Sequence, residues 1–343
     1  MTTLLALDSF KGCLTAPEAV DAAASALAGR DVRRMPLSDG GEGFAACLAG
    51  CLGGVFHTVL AHDPLGRPVE ARYALLDGGR IAVIETAAAS GLTLLQPSEL
   101  NPLIASSIGT GELMQDAIQQ GVEEIWIGLG GTAVMDCGTG LLQALAPLPR
   151  TIRIHAFYDV DVPLTGPDGA PAVFGPQKGA DAHGVEELER RFRRQAQAWK
   201  EQFGIDSVHL PGAGAAGGIG AALAVCLGAE MHAGIEAVLD AVHFGDCVQQ
   251  CGLVITGEGK ADKQTLTGKV PYGVLQATRR YAPGTPVVLL AGKVDDRDDL
   301  LAAGFDAIIQ VTPEESLNGN YLDKSFAREN IRRTVQGLVY FRD

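Results

Sequence analysis

No stretch of this 343-residue chain carries about 18 consecutive apolar residues, which argues against a membrane-crossing helix. The start, Met1-Thr-Thr-Leu-Leu-Ala-Leu-Asp8, lacks a basic n-region, and its apolar stretch is too short for export, so a cytoplasmic protein is expected. Basic residues are in deficit: 27 Lys and Arg stand against 41 Asp and Glu, a formal net charge of −14. Such a surface repels nucleic acid and anionic membranes, and any anionic substrate has to be met by local basic groups. The seven cysteines do not form a metal framework either. Cys47/Cys51 and Cys247/Cys251 fall at helical i, i+4 spacing, but neither comes with the C-x2-C partner pair of a zinc site, so they read as reduced packing residues.

Of two common nucleotide motifs, one is missing and the other lacks its context. Gly252 and Gly257 have the separation of a P-loop, but Glu258 follows where lysine is required, which excludes that motif. A G-x-G-x-x-G does occur at Gly212, Gly214 and Gly217. Only a weak apolar run precedes it, and no second strand ends in an acidic residue at the right distance, so the dinucleotide-binding context is absent. A glycine loop whose amides meet nucleotide phosphates fits the same residues.

What the chain does have is glycine, 44 residues of it, clustered in short runs between apolar segments. That clustering implies loops in which the backbone approaches a ligand closely. Hydrophobic residues at 47% and charged residues at 20% are ordinary globular material, and the length exceeds what one hydrophobic core usually supports.

Strand, loop and helix alternate at the start. Residues 3–8 are an apolar run, Thr15 and Glu18 make a capping-box spacing with Pro17 in the first turn, and a second strand is expected at 32–37. From about residue 64 the grammar changes: runs at 69–76 and 80–86 flank Asp77-Gly-Gly, a hairpin signal. Helices are expected at 105–120, 138–146, 182–203 and 217–227, strands at 124–129 and 152–158, and the charged stretch 182–203 reads as a solvated helix face. Apolar runs at 253–256, 287–290 and 307–311 then restore the parallel pattern. The expected fold class is α/β with two α/β domains. Residues 1–63 and 245–343 form a discontinuous Rossmann-like doubly wound parallel sheet domain, and 64–244 an inserted mixed α/β domain.

Polar, glycine-bearing loops follow apolar strands at least five times, at 8–12, 38–43, 128–136, 159–166 and 256–262. In open α/β sheets ligands bind outside the carboxyl ends of the strands, where helix N-termini hold anions. Each loop also has a plain structural reading, since Asp39 with Glu42 could cap a helix and Asp161 could be a turn residue.

Several of these loops together resemble the class I glycerate kinase family. The resemblance lies in Asp8-Ser-Phe-Lys-Gly, Leu37-Ser-Asp-Gly-Gly-Glu-Gly, Glu85-Thr-Ala-Ala-Ala-Ser-Gly-Leu, Ser107-Ile-Gly-Thr-Gly-Glu-Leu and Gly128-Leu-Gly-Gly-Thr-Ala. It continues in Asp159-Val-Asp, Pro163-Leu-Thr-Gly-Pro, Val173-Phe-Gly-Pro-Gln-Lys-Gly-Ala, Pro211-Gly-Ala-Gly-Ala-Ala-Gly-Gly and Thr256-Gly-Glu-Gly. It implies transfer of the γ-phosphoryl group of ATP, with Mg2+, to D-glycerate, most often giving 2-phosphoglycerate, in a site between two α/β domains. The chain departs from the family pattern at Cys13 (usually Ser), Met135 (Asn), Cys137 (Gly), Val162 (Asn) and Lys260 (Arg), and the segment 146–151 is shorter than in many relatives.

Phosphoryl transfer needs aligned reactants, cations on the phosphate oxygens and an acceptor for the hydroxyl proton. On that basis the expected catalytic residues are Asp136, the choice for the base, with Lys11, Asp39 and Asp159. Asp159 and Asp161 are the expected metal ligands. Lys178 and Lys260 join Lys11 as contacts for phosphate or the glycerate carboxylate. Asp8, Ser9, Gly40, Glu42, Gly130, Gly131, Thr132, Gly212, Gly214, Gly217, Glu258 and Asp262 complete the expected substrate and nucleotide site. The expected partner is small-molecule substrate alone, with a homodimer as the assembly to test. The rival readings are an NAD-dependent hydroxy-acid dehydrogenase, which lacks its cofactor motif here, and a non-catalytic relative that binds glycerate or ATP.

Overall fold

The structure, a computed structural model, describes residues 1–145, 152–316 and 323–340. Its strands are β1 (Thr3–Leu7), β2 (Val32–Arg34), β3 (Val55–His62), β4 (Pro68–Leu76), β5 (Ile81–Glu85), β6 (Glu124–Leu129), β7 (Arg153–Tyr158), β8 (Glu230–Ala233), β9 (Leu253–Ala261), β10 (Val287–Val294) and β11 (Ala307–Gln310). They fall into two compact units. One comprises 1–39, 46–52 and 235–343, the other 40–45 and 53–234.

The first unit holds a five-stranded sheet in the order β11-β10-β9-β1-β2, parallel throughout. β1 is buried along its whole length because helices cover both faces of such a sheet, which is why its sequence is an uninterrupted apolar run rather than an alternation. Helix Ala16–Ser25 starts where the sequence pattern puts it. Thr15 accepts from the Glu18 amide, and Glu18 accepts from the Thr15 amide at 2.9 Å and is held down to about 2 chiefly by that bond.

The second unit holds a six-stranded sheet, β3-β4-β5-β6-β7-β8, with antiparallel pairing from β3 to β5 and parallel pairing from β5 to β8. The expected hairpin joins β4 to β5, with Leu76 opposite Ile81 and left-handed backbone at Asp77, Gly78 and Gly79. β3 and β8 were not foreseen. Both are edge strands whose side chains are largely exposed, so neither shows the apolar signature of a buried strand. The helix Ala182–Phe203 has the expected bounds but not the expected character: Leu188, Phe192, Ala196 and Trp199 form a buried stripe under its charged face. The expected helices at 105–120 and 138–146 run as Ile108–Gln119 and Thr139–Ala144, and the short segment 146–151 lies outside the described residues. Among the described residues no helix is long and apolar enough to cross a membrane.

Candidate active site

In the first unit, the loop after β1 and the end of β9 wall a cavity of about 730 Å3. Asp8, Ser9, Lys11, Glu258 and Lys260 line it, as do Lys269 and Lys293, which the sequence reading did not single out. Lys269 directly precedes helix Val270–Tyr281, and a lysine set just before a buried helix was the available signal. The chemistry of this pocket is set by two buried carboxyls. Burial and the neighbouring Asp39 push Asp8 up to about 7, against the pull of the Ser9 amide and Lys11. Burial also raises Glu258, which accepts from the Thr265 hydroxyl at 2.6 Å and faces Lys269 at 3.6 Å. Lys260, by contrast, is exposed and paired with Asp262 at 3.0 Å and Asp295 at 3.2 Å. Asp262 also caps the short turn of helix Lys263–Thr267 through the Gln264 amide.

In the second unit, three loops are tied together at the carboxyl ends of β5 and β6. Glu85, the first residue of the Glu85-Thr-Ala-Ala-Ala-Ser-Gly-Leu motif, accepts from the amides of Gly43 at 3.2 Å and Ala45 at 2.8 Å, and so fixes the loop that carries Gly40 and Glu42. The Thr86 hydroxyl donates to the carbonyls of Gly128 and Gly130 at 3.0 and 3.2 Å. Gly130 is glycine for a steric reason, since a Cβ there would stand 2.7 Å from the Cα of Gly41.

Asp136 is the most heavily bonded carboxylate of this cluster. Its Oδ2 accepts from the amide and hydroxyl of Ser107, both at 2.8 Å, and from the Gly140 amide at 3.1 Å, while Oδ1 accepts from the Gly138 amide at 3.0 Å. Four donors on two oxygens join the starts of helices Ile108–Gln119 and Thr139–Ala144. Lys178 is buried, and its Nζ donates to the Thr132 hydroxyl at 3.1 Å and the Val134 carbonyl at 2.9 Å, with burial lowering the amine to about 7. Gly131 is exposed at the tip of this loop.

The glycines at 212, 214 and 217 make close packing. A Cβ on Gly217 would lie 2.0 Å from the Val134 carbonyl oxygen, and one on Gly212 would lie 2.6 Å from the Tyr158 ring. The amides of Gly212 and Gly214 are spent inside the protein, on Asp161 Oδ1 at 3.0 Å and on the Val162 carbonyl at 2.9 Å. The expected phosphate-cradling loop therefore lacks those two donors. Asp159 and Asp161 lie exposed just past β7, where an all-oxygen donor set suits a hard cation such as Mg2+. Met135 and Cys137 are buried core residues, and Cys137 takes a left-handed φ of 54°, a conformation natural to the glycine that the sequence resemblance implies there.

A lysine-lined pocket beside carboxyls of raised proton affinity, on a parallel α/β sheet, defines an enzyme that handles a small anionic molecule. The chain belongs to the glycerate kinase family, whose sequence model matches residues 3–148 and 145–341. It is 39% identical to the glycerate kinase of Bacillus subtilis (strain 168), covering 91% of each chain. It is 35% identical to the glycerate 2-kinase of Escherichia coli (strain K12), covering 98% of each. A solved structure from Salmonella typhimurium LT2, described as glycerate kinase 2, matches 99% of this chain and 98% of its own, with a TM-score of 0.85 and 37% identity.

Proposed function

We propose that this chain transfers the γ-phosphoryl group of ATP to D-glycerate in the cytoplasm, giving ADP and 2-phosphoglycerate. The bond from the γ-phosphorus to the bridging oxygen of ADP breaks, a bond from phosphorus to the glycerate oxygen forms, and the hydroxyl proton passes to a carboxylate of the enzyme. The observation that carries this reading is the cavity walled by Lys11, Lys269 and Lys293 around Asp8. On a chain with a net charge of −14 it gathers the local positive charge that an anionic acceptor and a nucleotide need. The choice of the 2-hydroxyl follows from the glycerate 2-kinase relative, which matches almost end to end.

Asp8 is the better-placed base. A carboxyl raised to about 7 takes up a proton readily near neutral pH, whereas both oxygens of Asp136 are already engaged, which supports a positioning role for that residue. Asp39, by its charge, keeps Asp8 basic. Asp159 and Asp161 would hold Mg2+, which when bound offsets the charge of the nucleotide phosphates. The test is ADP release from ATP, assayed with and without D-glycerate and with EDTA, followed by phosphorus NMR of the product. Release that depends on both D-glycerate and the metal is expected. Turnover that persists in excess EDTA would overturn the metal-assisted reading, and a 3-phosphate product would overturn the choice of hydroxyl.

A further inference from the structure

We propose a second metal site, for a borderline transition ion of the Zn2+ class, at the outer edge of the six-stranded sheet. It is made by His155 of β7 with Glu230 and His232 of β8. The strands are in register, His155 opposite Glu230 and Phe157 opposite His232, so side chains two residues apart on each strand emerge on one face. His155 Nδ1 lies 2.9 Å from His232 Nε2 and 3.4 Å from Glu230 Oε2, and His232 Nε2 lies 3.9 Å from the same oxygen. The three donor atoms form a triangle, and the point equidistant from them is about 2.0 Å from each, the bond length that zinc makes to imidazole nitrogen and carboxylate oxygen. Glu230 is 69% exposed on its side chain, so the outer side of the site is open for a water as fourth ligand.

The surroundings of His155 match those of a metal-binding imidazole. Its other ring nitrogen, Nε2, faces Glu124 Oε1 at 3.2 Å, and that carboxylate is fixed by the Trp126 indole N–H at 2.5 Å and by Arg153 at 2.7 Å. A proton held on Nε2 by Glu124 leaves the Nδ1 lone pair directed at the triangle. His232 stacks on Phe157, centroids 5.1 Å apart, which holds its ring in the same place. When an ion binds, His232 carries its proton on Nδ1 and offers Nε2. Two imidazoles and one carboxylate select a borderline transition ion over Mg2+, whose preference is for oxygen alone. The site would clip β8, a four-residue strand with β7 as its neighbour, to the rest of the sheet.

The test uses the full untagged chain, stripped of metal and titrated with Zn2+ against a chromogenic chelator. His232→Ala should lose one equivalent of tight binding, weakening it at least about tenfold. Glu124→Gln, which leaves all three ligands in place, should weaken it by about 10- to 100-fold. The zinc-induced rise in melting temperature should vanish in His232→Ala. Co2+ in the wild type should give a visible spectrum without a thiolate band, also lost in that variant. Should His232→Ala fail to fold, Glu230→Gln at the exposed carboxylate serves instead. Equal stoichiometry and affinity in wild type and variants would overturn the site, as would a cobalt spectrum dominated by thiolate ligation.

Discussion

Asp136 holds Ser107 twice, its Oδ2 accepting both the amide and the hydroxyl at 2.8 Å. That double grip joins the start of one helix to the loop after β6, and it gives a carboxylate that looks catalytic in the sequence a structural duty as well. Asp136→Asn keeps the shape but puts an NH2 group against donors that need an acceptor. It should therefore lower stability by about 1–3 kcal/mol in a urea melt, the range for leaving buried donors unsatisfied, together with a fall in kcat. Unchanged stability with lost activity would return Asp136 to the chemistry.

Asp8 links activity and stability with opposite signs. Its carboxyl titrates near 7 when folded and near the ordinary aspartate value when unfolded, so the folded state binds the extra proton between those values. The stability it contributes is complete below pH about 4 and lost as pH rises through about 7. Asp8→Asn should then be more stable than wild type at pH 8, by roughly 2 kcal/mol or more, while losing about 10²-fold or more in kcat/KM. In the wild type, kcat/KM should climb with pH through about 7 as the base is freed. Equal stability of the two proteins at pH 8 would show that the carboxyl is not raised.

Lys178 acts in the other direction. Its folded value, about 7, lies below that of an unfolded lysine, so the unfolded state binds more protons between them and stability rises with pH from about 7 to about 10. Lys178→Met should flatten that rise in a series of melts across pH. Part of its gain near pH 7 is offset by the lost bonds to Thr132 and Val134. A variant with the wild-type slope would place the titration elsewhere.

Gly217 is fixed by sterics. Its φ is +66°, and a Cβ there would stand 2.0 Å from a backbone oxygen that has no rotamer to move. Gly217→Ala should cost about 3 kcal/mol in thermal or urea unfolding, through overpacking and left-handed strain together. A cost below about 1 kcal/mol would mean that the loop yields.

The loops and buried strands were legible in the sequence because their signals are local. Thr15 with Glu18 reads as a cap, Asp77-Gly-Gly as a hairpin, and β1, β9 and β10 as apolar runs, and each is a matter of adjacent residues. β3 and β8 were not legible, because edge strands with exposed side chains lack an apolar pattern. What each candidate touches was hidden as well. The Asp136 carboxylate meets Ser107, 29 residues away, and Gly212 meets Asp161 across 51 residues, distances over which sequence spacing carries no register. Asp8 could be picked out as a loop carboxyl, but its raised proton affinity comes from burial and from Asp39, and neither shows in a string of letters.

The place of β1 between β9 and the edge strand β2 sets an order of events for a chain leaving the ribosome. Thr3 to Leu5 find one neighbour in β2, within thirty-odd residues, but Thr3 to Leu7 find the other in Leu253 to Gly257 of β9. Until β9 has been made, one edge of β1 has bare amides and carbonyls and an apolar side chain row with no cover. The intervening 53–234 can complete its own sheet during that wait, since its strands pair among themselves. β1 is thus among the last strands to be sealed, and pulse-labelled hydrogen exchange during refolding should protect the β1 amides after those of β5 and β6.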